Sequence, residues 1–291
     1  MSVPTLIQIR DPRAFPAVTP PVPWIERLAR LREAIARLGA VVVAYSGGVD
    51  SSLVLRVAHE VLGGRAVGVI GRSDSYAARE LALALEQAAS FGARIEVVTT
   101  GELADPNFRS NPIRRCYFCK QELYRELDAV ARRVGAAAIL DGTIADDLAD
   151  HRPGRLAAAE RGVRSPLAEL GFTKPDVRAA ARHYGLAAHD KPASPCLASR
   201  IPYGTEITRE NLSMVERGEA LLRGLGFTEL RLRHHGDTAR IEVPLAELAR
   251  LTEPATRARV VAGLKALGYR YVTLDLEGFR SGNLNPGPGG A

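Results

Sequence analysis

Apolar positions along this chain fall into two rhythms. Short continuous runs predict strands buried on both faces: Val41-Val42-Val43-Ala44, Ala66-Val67-Gly68-Val69-Ile70, Arg94–Val98 and Ala137-Ala138-Ile139-Leu140. Between them apolar residues recur every three or four positions. That spacing predicts helices over Trp24–Leu38, Leu53–Leu62, Tyr76–Phe91, Lys120–Val134 and Lys174–Tyr184. Strand and helix in alternation predict an α/β fold built on a doubly wound parallel sheet. After Arg200 the rhythm changes. A helix over Thr208–Leu225 precedes two strands that meet at a Gly236-Asp237 turn, then a helix over Pro254–Leu267 and a strand over Tyr271–Leu276. The expected division is a Pro-rich arm (1–22), a nucleotide domain (23–200), a smaller C-terminal α+β domain for substrate or oligomer contacts (201–282) and a flexible tail (283–291).

The first strand runs into Ser46-Gly47-Gly48-Val49-Asp50-Ser51-Ser52, and a helical pattern follows. A strand, a small-residue loop and a helix N-terminus together make a phosphate cradle. Gly47 and Gly48 let the backbone approach an anion, while Ser46, Ser51 and Ser52 add hydroxyl donors. No lysine precedes the serines, so this is not a Walker A loop. Asp50 stands near that point instead, and a carboxylate beside phosphate implies a bridging Mg²⁺. The loop resembles that of the ATP pyrophosphatases, the PP-loop enzymes of adenine nucleotide alpha hydrolase-like fold. The resemblance implies that Ala44, Ser46, Gly47, Gly48, Asp50, Ser51 and Ser52 hold ATP so that its α-phosphorus is open to attack. Arg72 follows the second strand, where α/β sheets place ligand contacts. Asp141-Gly142-Thr143-Ile144-Ala145-Asp146-Asp147, with Asp150 beyond, follows the fourth. Gly142 and Thr143 suit nucleotide contacts, and Asp146 and Asp147 suit Mg²⁺.

Composition narrows the classes. The chain has 291 residues and a net charge of +6. Its cations are almost all arginine, with lysine only at 120, 174, 191 and 265. Because the arginines are dispersed and aromatics few, nucleic acid is a poor partner and a phosphate-bearing small molecule a better one. The absence of a signal-peptide pattern and of a spanning apolar run makes the cytoplasm the expected location and a membrane an unexpected partner.

Three cysteines, Cys116, Cys119 and Cys196, argue against a disulfide scaffold. Cys116 and Cys119 form a C-x-x-C pair beside Arg114, Arg115 and Lys120, neighbours that favour thiolate. Zinc, a redox pair, inert thiols and one iron–sulfur cluster on all three remain open readings, and the cluster uses the set most fully. Pro192 and Pro195 place Cys196 on a stiff loop, with Arg200 just beyond it to steady a thiolate or contact substrate. An ATP-activating loop followed by a presented thiol suggests sulfur transfer to an adenylated acyl group.

Five motifs occur in order: Ser-Gly-Gly-Val-Asp-Ser-Ser, Arg-Cys-Tyr-Phe-Cys-Lys, Asp-Gly-Thr-x-x-Asp-Asp, Pro-Cys-Leu-Ala-Ser-Arg and Arg-x-Arg-His-His-Gly-Asp. As a set they resemble the LarE family, the ATP-dependent sulfur transferases of nickel-pincer nucleotide assembly. The resemblance implies adenylation of a carboxylate of pyridinium-3,5-biscarboxylic acid mononucleotide, displacement of AMP by a protein sulfur, and two rounds to the dithiocarboxylate. In one branch the cysteine matching Cys196 surrenders its own sulfur. In the branch with a C-x-x-C pair, which this chain resembles, Cys116, Cys119 and Cys196 would hold a [4Fe-4S] cluster whose open iron carries a transferable sulfide. The resemblance further implies substrate-phosphate contacts from Arg231 and Arg233, a homo-oligomer, expected to be a hexamer, and transient contact with the enzymes before and after it in cofactor synthesis. Glu219 and Glu242 carry no assigned role; His234 and His235 read as structural or orienting. A tRNA thiolase, an ATP-dependent amide ligase and a nucleotide-gated metal-storage protein are the alternatives.

Overall fold

The computed structural model describes residues 23–149, 153–192 and 194–280, so the proposed arm, the whole of the proposed tail and Asp150 lie outside the described residues. Strands β1 (Val41–Ala44), β2 (Ala66–Arg72), β3 (Arg94–Thr99) and β4 (Ala138–Leu140) form one all-parallel sheet in the order β3-β2-β1-β4. Successive side chains of β1 serve opposite faces, as the period of two requires. Val41 and Val43 pack into a core with helices α1 (Trp24–Ala36), α2 (Val49–Leu62), α3 (Ala78–Ser90) and the helix Lys174–His183. Val42 packs with Val67, Val69 and Ile139 against the helix Arg115–Val134 on the other face. The sheet is therefore wound on both sides, as its uninterrupted apolar strands demand.

A second unit follows. The helix Arg209–Gly224 precedes β5 (Arg231–His235), β6 (Thr238–Glu242), the helix Pro254–Ala266 and β7 (Tyr271–Leu274). β5 and β6 pair antiparallel about the expected turn, and β6 and β7 pair parallel, which gives a small mixed sheet over its own apolar core. Residues on both sides of Arg200 also share a core, in which Phe108, Leu197 and Ala198 meet Ile207, Leu212 and Val215.

One expected boundary moves. The cysteine helix begins at Arg115 rather than Lys120, so the C-x-x-C pair occupies its first turn. Tyr117 and Phe118 lack a helix-specific pattern, but Tyr124, Leu127 and Val130 bury one face and draw the preceding turn into register.

Candidate active site

The sheet order places the loops after β1 and β4 side by side at the point where crossovers run apart, the ligand crevice of open α/β sheets. Gly142 marks their contact: a Cβ there would lie 2.6 Å from the Ser51 amide nitrogen. Gly142→Ala is expected to force the loops apart, at an overpacking cost of about 1–3 kcal/mol. Calorimetric titration should then register at least tenfold weaker ATP binding.

Within the phosphate loop, Gly47 takes a left-handed φ of 67° and has no room for a side chain, because a Cβ would meet the Cβ of Ala84 at 2.6 Å. The Ser51 hydroxyl accepts from the Ser46 amide at 3.2 Å and lies 3.2 Å from the Ser46 hydroxyl, which keeps both near the loop rim. Ser52 turns inward. It is fully buried, donates to the Gly48 carbonyl at 2.7 Å and accepts from Gln87, so it braces the loop from beneath. The Gly48 cap and the first turn of α2 carry Asp50.

Sequence reasoning missed the partner of Asp50. Lys174 reaches across from the first turn of its helix and donates to both carboxylate oxygens, at 2.6 and 2.7 Å. Burial raises the Asp50 pKa; Lys174 opposes that shift and Asp147 adds to it. Asp146 accepts from the Lys174 amide at 2.8 Å, and Asp147 accepts from the Ile144 amide at 3.1 Å. Among the described residues no three acidic, histidine or cysteine side chains close on a single-ion position. The three aspartates therefore lie in one neighbourhood but do not form a preassembled cation cage.

Thr143 is anchored through Asp141, which is buried and accepts from the Thr143 amide at 3.0 Å, the Thr143 hydroxyl at 2.8 Å and the Ser165 hydroxyl at 2.8 Å. Arg72 ends β2 and donates to Thr99 at 3.3 Å. It lines a cleft of roughly 660 Å³ with Ser73, Tyr76, Thr100 and Glu102, closed on one side by Arg209 and Glu216 of the second unit. Glu216 also accepts from the Ala78 amide at 2.7 Å, so a side chain of the second unit caps the N-terminus of α3.

The Cys196 loop is held by its backbone, which leaves the thiol uncommitted. Leu197 donates its amide to the Ser75 carbonyl at 2.8 Å, and the Ser199 hydroxyl donates to the Cys196 carbonyl at 2.7 Å. Arg200 is buried and donates to the Pro195 and Cys196 carbonyls at 2.7 and 3.2 Å. Its remaining nitrogens pair with Glu219 at 2.8 and 3.3 Å. Arg233 grips Glu242 through two 2.9 Å bonds and donates to the Ser199 carbonyl at 2.8 Å. Both arginines are thereby engaged in shaping the thiol loop. Arg231 donates to the Leu230 carbonyl at 2.8 Å and lies over the Phe279 ring; burial first, then Arg200, Arg233 and Arg223 against the opposing Glu219, pull its pKa down to about 10.

Burial alone would raise the Glu219 pKa, yet Arg200 and Arg223 outweigh it and hold the carboxyl below the ordinary range. A depressed carboxylate contributes stability that is present at neutral pH and lost as pH falls through its folded-state pKa. Glu219→Gln should remove this acid sensitivity. It should also cost about 3–5 kcal/mol at pH 7, because two guanidinium groups lose their counter-charge. Urea unfolding at pH 7 and pH 4 checks both.

The three thiols are free and electrostatically coupled: Cys196 raises the pKa of both Cys116 and Cys119. The expected depressed thiol pKa is not found at either position of the pair. Desolvation outweighs Arg115 and Lys120 at Cys116, and at Cys119 desolvation with the nearby Glu102 pushes the thiol further up. Flanking cations are visible in a sequence; the protein that crowds a thiol is not. A neutral dithiol beside a third thiol fits a metal–sulfur group, whose own charge draws out thiolate on binding.

A glycine-rich loop at the switch point of a doubly wound sheet, with the Cys196 loop tied to Ser75 just beyond the neighbouring strand, is the architecture of an α/β enzyme. No family model matches the chain, but relatives do. It is 46% identical over 259 residues to an uncharacterised protein of Synechocystis, covering 89% of this chain and 97% of that one. It is 42% identical over 258 residues to the pyridinium-3,5-bisthiocarboxylic acid mononucleotide synthase of Lactiplantibacillus plantarum, covering 88% and 93%. An uncharacterised protein of Methanocaldococcus jannaschii is 26% identical over 241 residues. The chain belongs to the LarE family of sulfur transferases.

Proposed function

We propose that this enzyme adenylates a carboxylate of pyridinium-3,5-biscarboxylic acid mononucleotide and replaces the activated oxygen with sulfur, in nickel-pincer cofactor synthesis. The observation that carries this reading is the Cys196 loop, pinned by Ser75, Ser199 and Arg200 at the sheet end that bears the phosphate loop. The substrate carboxylate attacks the α-phosphorus of ATP, the bond to the β-phosphate breaks, and pyrophosphate leaves. Inorganic sulfide then attacks the acyl carbon; the acyl–oxygen bond breaks, AMP leaves with the electron pair, the sulfide proton is lost, and a thiocarboxylate remains. Phosphate-loop amides and the α2 N-terminus neutralise the departing pyrophosphate. Asp50, freed from Lys174, suits Mg²⁺ carried with ATP, with Asp146 and Asp147 nearby. Arg231, half-buried near Arg200 and Arg233, suits the substrate phosphate.

The donor set Cys116, Cys119 and Cys196 fits a [4Fe-4S] cluster with one iron left open. When bound, it supplies a coordination position for inorganic sulfide. The proposed second unit, 201–282, closes the substrate side, and its exposed Leu245, Tyr271 and Leu276 support a homo-oligomer. The test combines the biscarboxylic acid mononucleotide, MgATP and anaerobically purified protein. Pyrophosphate release that requires the carboxylate, with AMP and a mass gain of one sulfur-for-oxygen exchange, supports the reading; its absence sinks it. Iron and acid-labile sulfide counts for wild type and Cys116→Ala decide the cluster. If iron is absent from wild type, Cys196 is left as a single-use donor.

A further inference from the structure

Lysine is scarce in this protein: only four of its 39 basic residues are not arginine. Three of the four converge on the site. Lys174 pairs with Asp50, and Lys191 holds Glu80 of α3 at the start of the Cys196 loop, 2.7 Å apart. Lys120 follows the C-x-x-C pair. A chain that uses arginine almost everywhere else keeps lysine where a compact ammonium differs most from a planar fork.

Lys120 differs from the other two. Lys174 and Lys191 each have a carboxylate, whereas Lys120 forms no ion pair or hydrogen bond to a carboxylate among the described residues. Its stem is pinned: a Cβ on Gly154 would meet its Cγ at 3.2 Å. Its ammonium lies over the Tyr124 ring, 5.5 Å from the centroid. Tyr124 is buried and its hydroxyl lies 3.5 Å from the Asp141 carboxylate, which anchors Thr143 in the nucleotide loop. One turn of helix thus sets an ammonium without an ion-pair partner between the thiols and the nucleotide.

We infer that Lys120 is a further catalytic residue, whose ammonium contacts the α-phosphate of the adenylate and neutralises it as AMP departs. This rests on the adenylation reading above. An ammonium at this point serves the second half-reaction, because charge grows on the α-phosphate as the acyl–oxygen bond breaks. The pyrophosphate is held elsewhere, by the phosphate loop and the α2 N-terminus. Lys120 should therefore separate the two products: it should matter for AMP and be indifferent to pyrophosphate.

The experiment measures AMP and inorganic pyrophosphate binding by calorimetry on full-length protein, wild type against Lys120→Met and Lys120→Arg. A charge-assisted contact predicts at least tenfold weaker AMP binding in Lys120→Met and unchanged pyrophosphate binding. Lys120→Arg should restore AMP binding only in part, since a planar guanidinium places its charge differently from a compact ammonium. AMP affinity within twofold of wild type in Lys120→Met overturns the assignment. Amine acetylation of the wild-type protein, read by peptide mass spectrometry, decides it independently of how the variants fold. AMP should slow labelling of Lys120 at least fivefold and pyrophosphate should not; equal labelling with and without AMP overturns it. Wild-type protein that binds AMP but makes no thiocarboxylate refutes the sulfur-transfer reading and leaves the Lys120 contact to be judged by these measurements.

Discussion

Cys196→Ser is expected to abolish thiocarboxylate formation, by about 10³-fold or more, while substrate-dependent pyrophosphate release in the first turnover stays within about threefold of wild type. The split follows from how the loop is held. Every anchor found on it is a backbone contact or a neighbouring side chain: the Leu197 amide on Ser75, Ser199 and Arg200 on the Cys196 carbonyl, Arg233 on the Ser199 carbonyl. None uses the thiol, so serine leaves the loop standing. Asp50 and the phosphate loop lie on other elements and keep their own contacts. A hydroxyl is a poor substitute for a thiol both as nucleophile and as a soft-metal ligand. Rapid-quench analysis of AMP, pyrophosphate and thiocarboxylate in a single turnover separates the steps. Loss of pyrophosphate release together with sulfur transfer would instead make Cys196 part of the adenylation site.

The parts of this site that were legible in the sequence are those set by local rules. A run of three valines can only be a strand buried on both sides, and two glycines after it mark a backbone that must approach something closely. Gly47 does have the left-handed backbone and the missing space that such a loop requires. What stayed hidden depends on residues distant in the chain. Lys174 read as a helix start, and nothing near it names Asp50, 124 positions away, as its partner. The only signal was its rarity among so many arginines. Ser52 was indistinguishable from Ser51 until Gln87 closed over it. Arg231 and Arg233 sit two apart on one strand. Yet Arg233 is taken up by Glu242, while Arg231 donates to the Leu230 carbonyl and stacks on Phe279, and only the folded neighbourhood separates them. Cys119 carries the same lesson: its basic neighbour argued for thiolate, while Glu102 and the cluster around Phe108 and Leu197 that crowd it come from other segments of the chain.

Asp50→Asn is expected to lower substrate-dependent pyrophosphate release by about 10²-fold or more, with the fold intact. Asparagine fits the first turn of α2 as well as aspartate, so the thermal midpoint should move by only a few degrees. Two explanations of the loss make different predictions. In the first, Asp50 serves only to hold Lys174 near the phosphates, and the pair, at 2.6 and 2.7 Å, is close enough for that. Lys174→Met would then match Asp50→Asn, and the double variant would be no worse than either single one. Alternatively Asp50 acts directly at the phosphates and Lys174 occupies it only while the nucleotide is away. Lys174→Met should then cost far less than Asp50→Asn, and the two losses should combine in the double variant. The double-mutant cycle distinguishes these, because groups acting as one unit are not additive and independent ones are. The geometry favours direct action. Lys174 is tethered by its own amide to Asp146, within reach of Asp50, whereas Asp50 projects from the helix end where anions collect. A carboxylate fixed at an anion-binding helix end, with a removable cation on it, is poised to exchange that cation for one that arrives with ATP. Activity of Asp50→Asn within tenfold of wild type would remove Asp50 from the reaction and leave it as an anchor for the Lys174 helix.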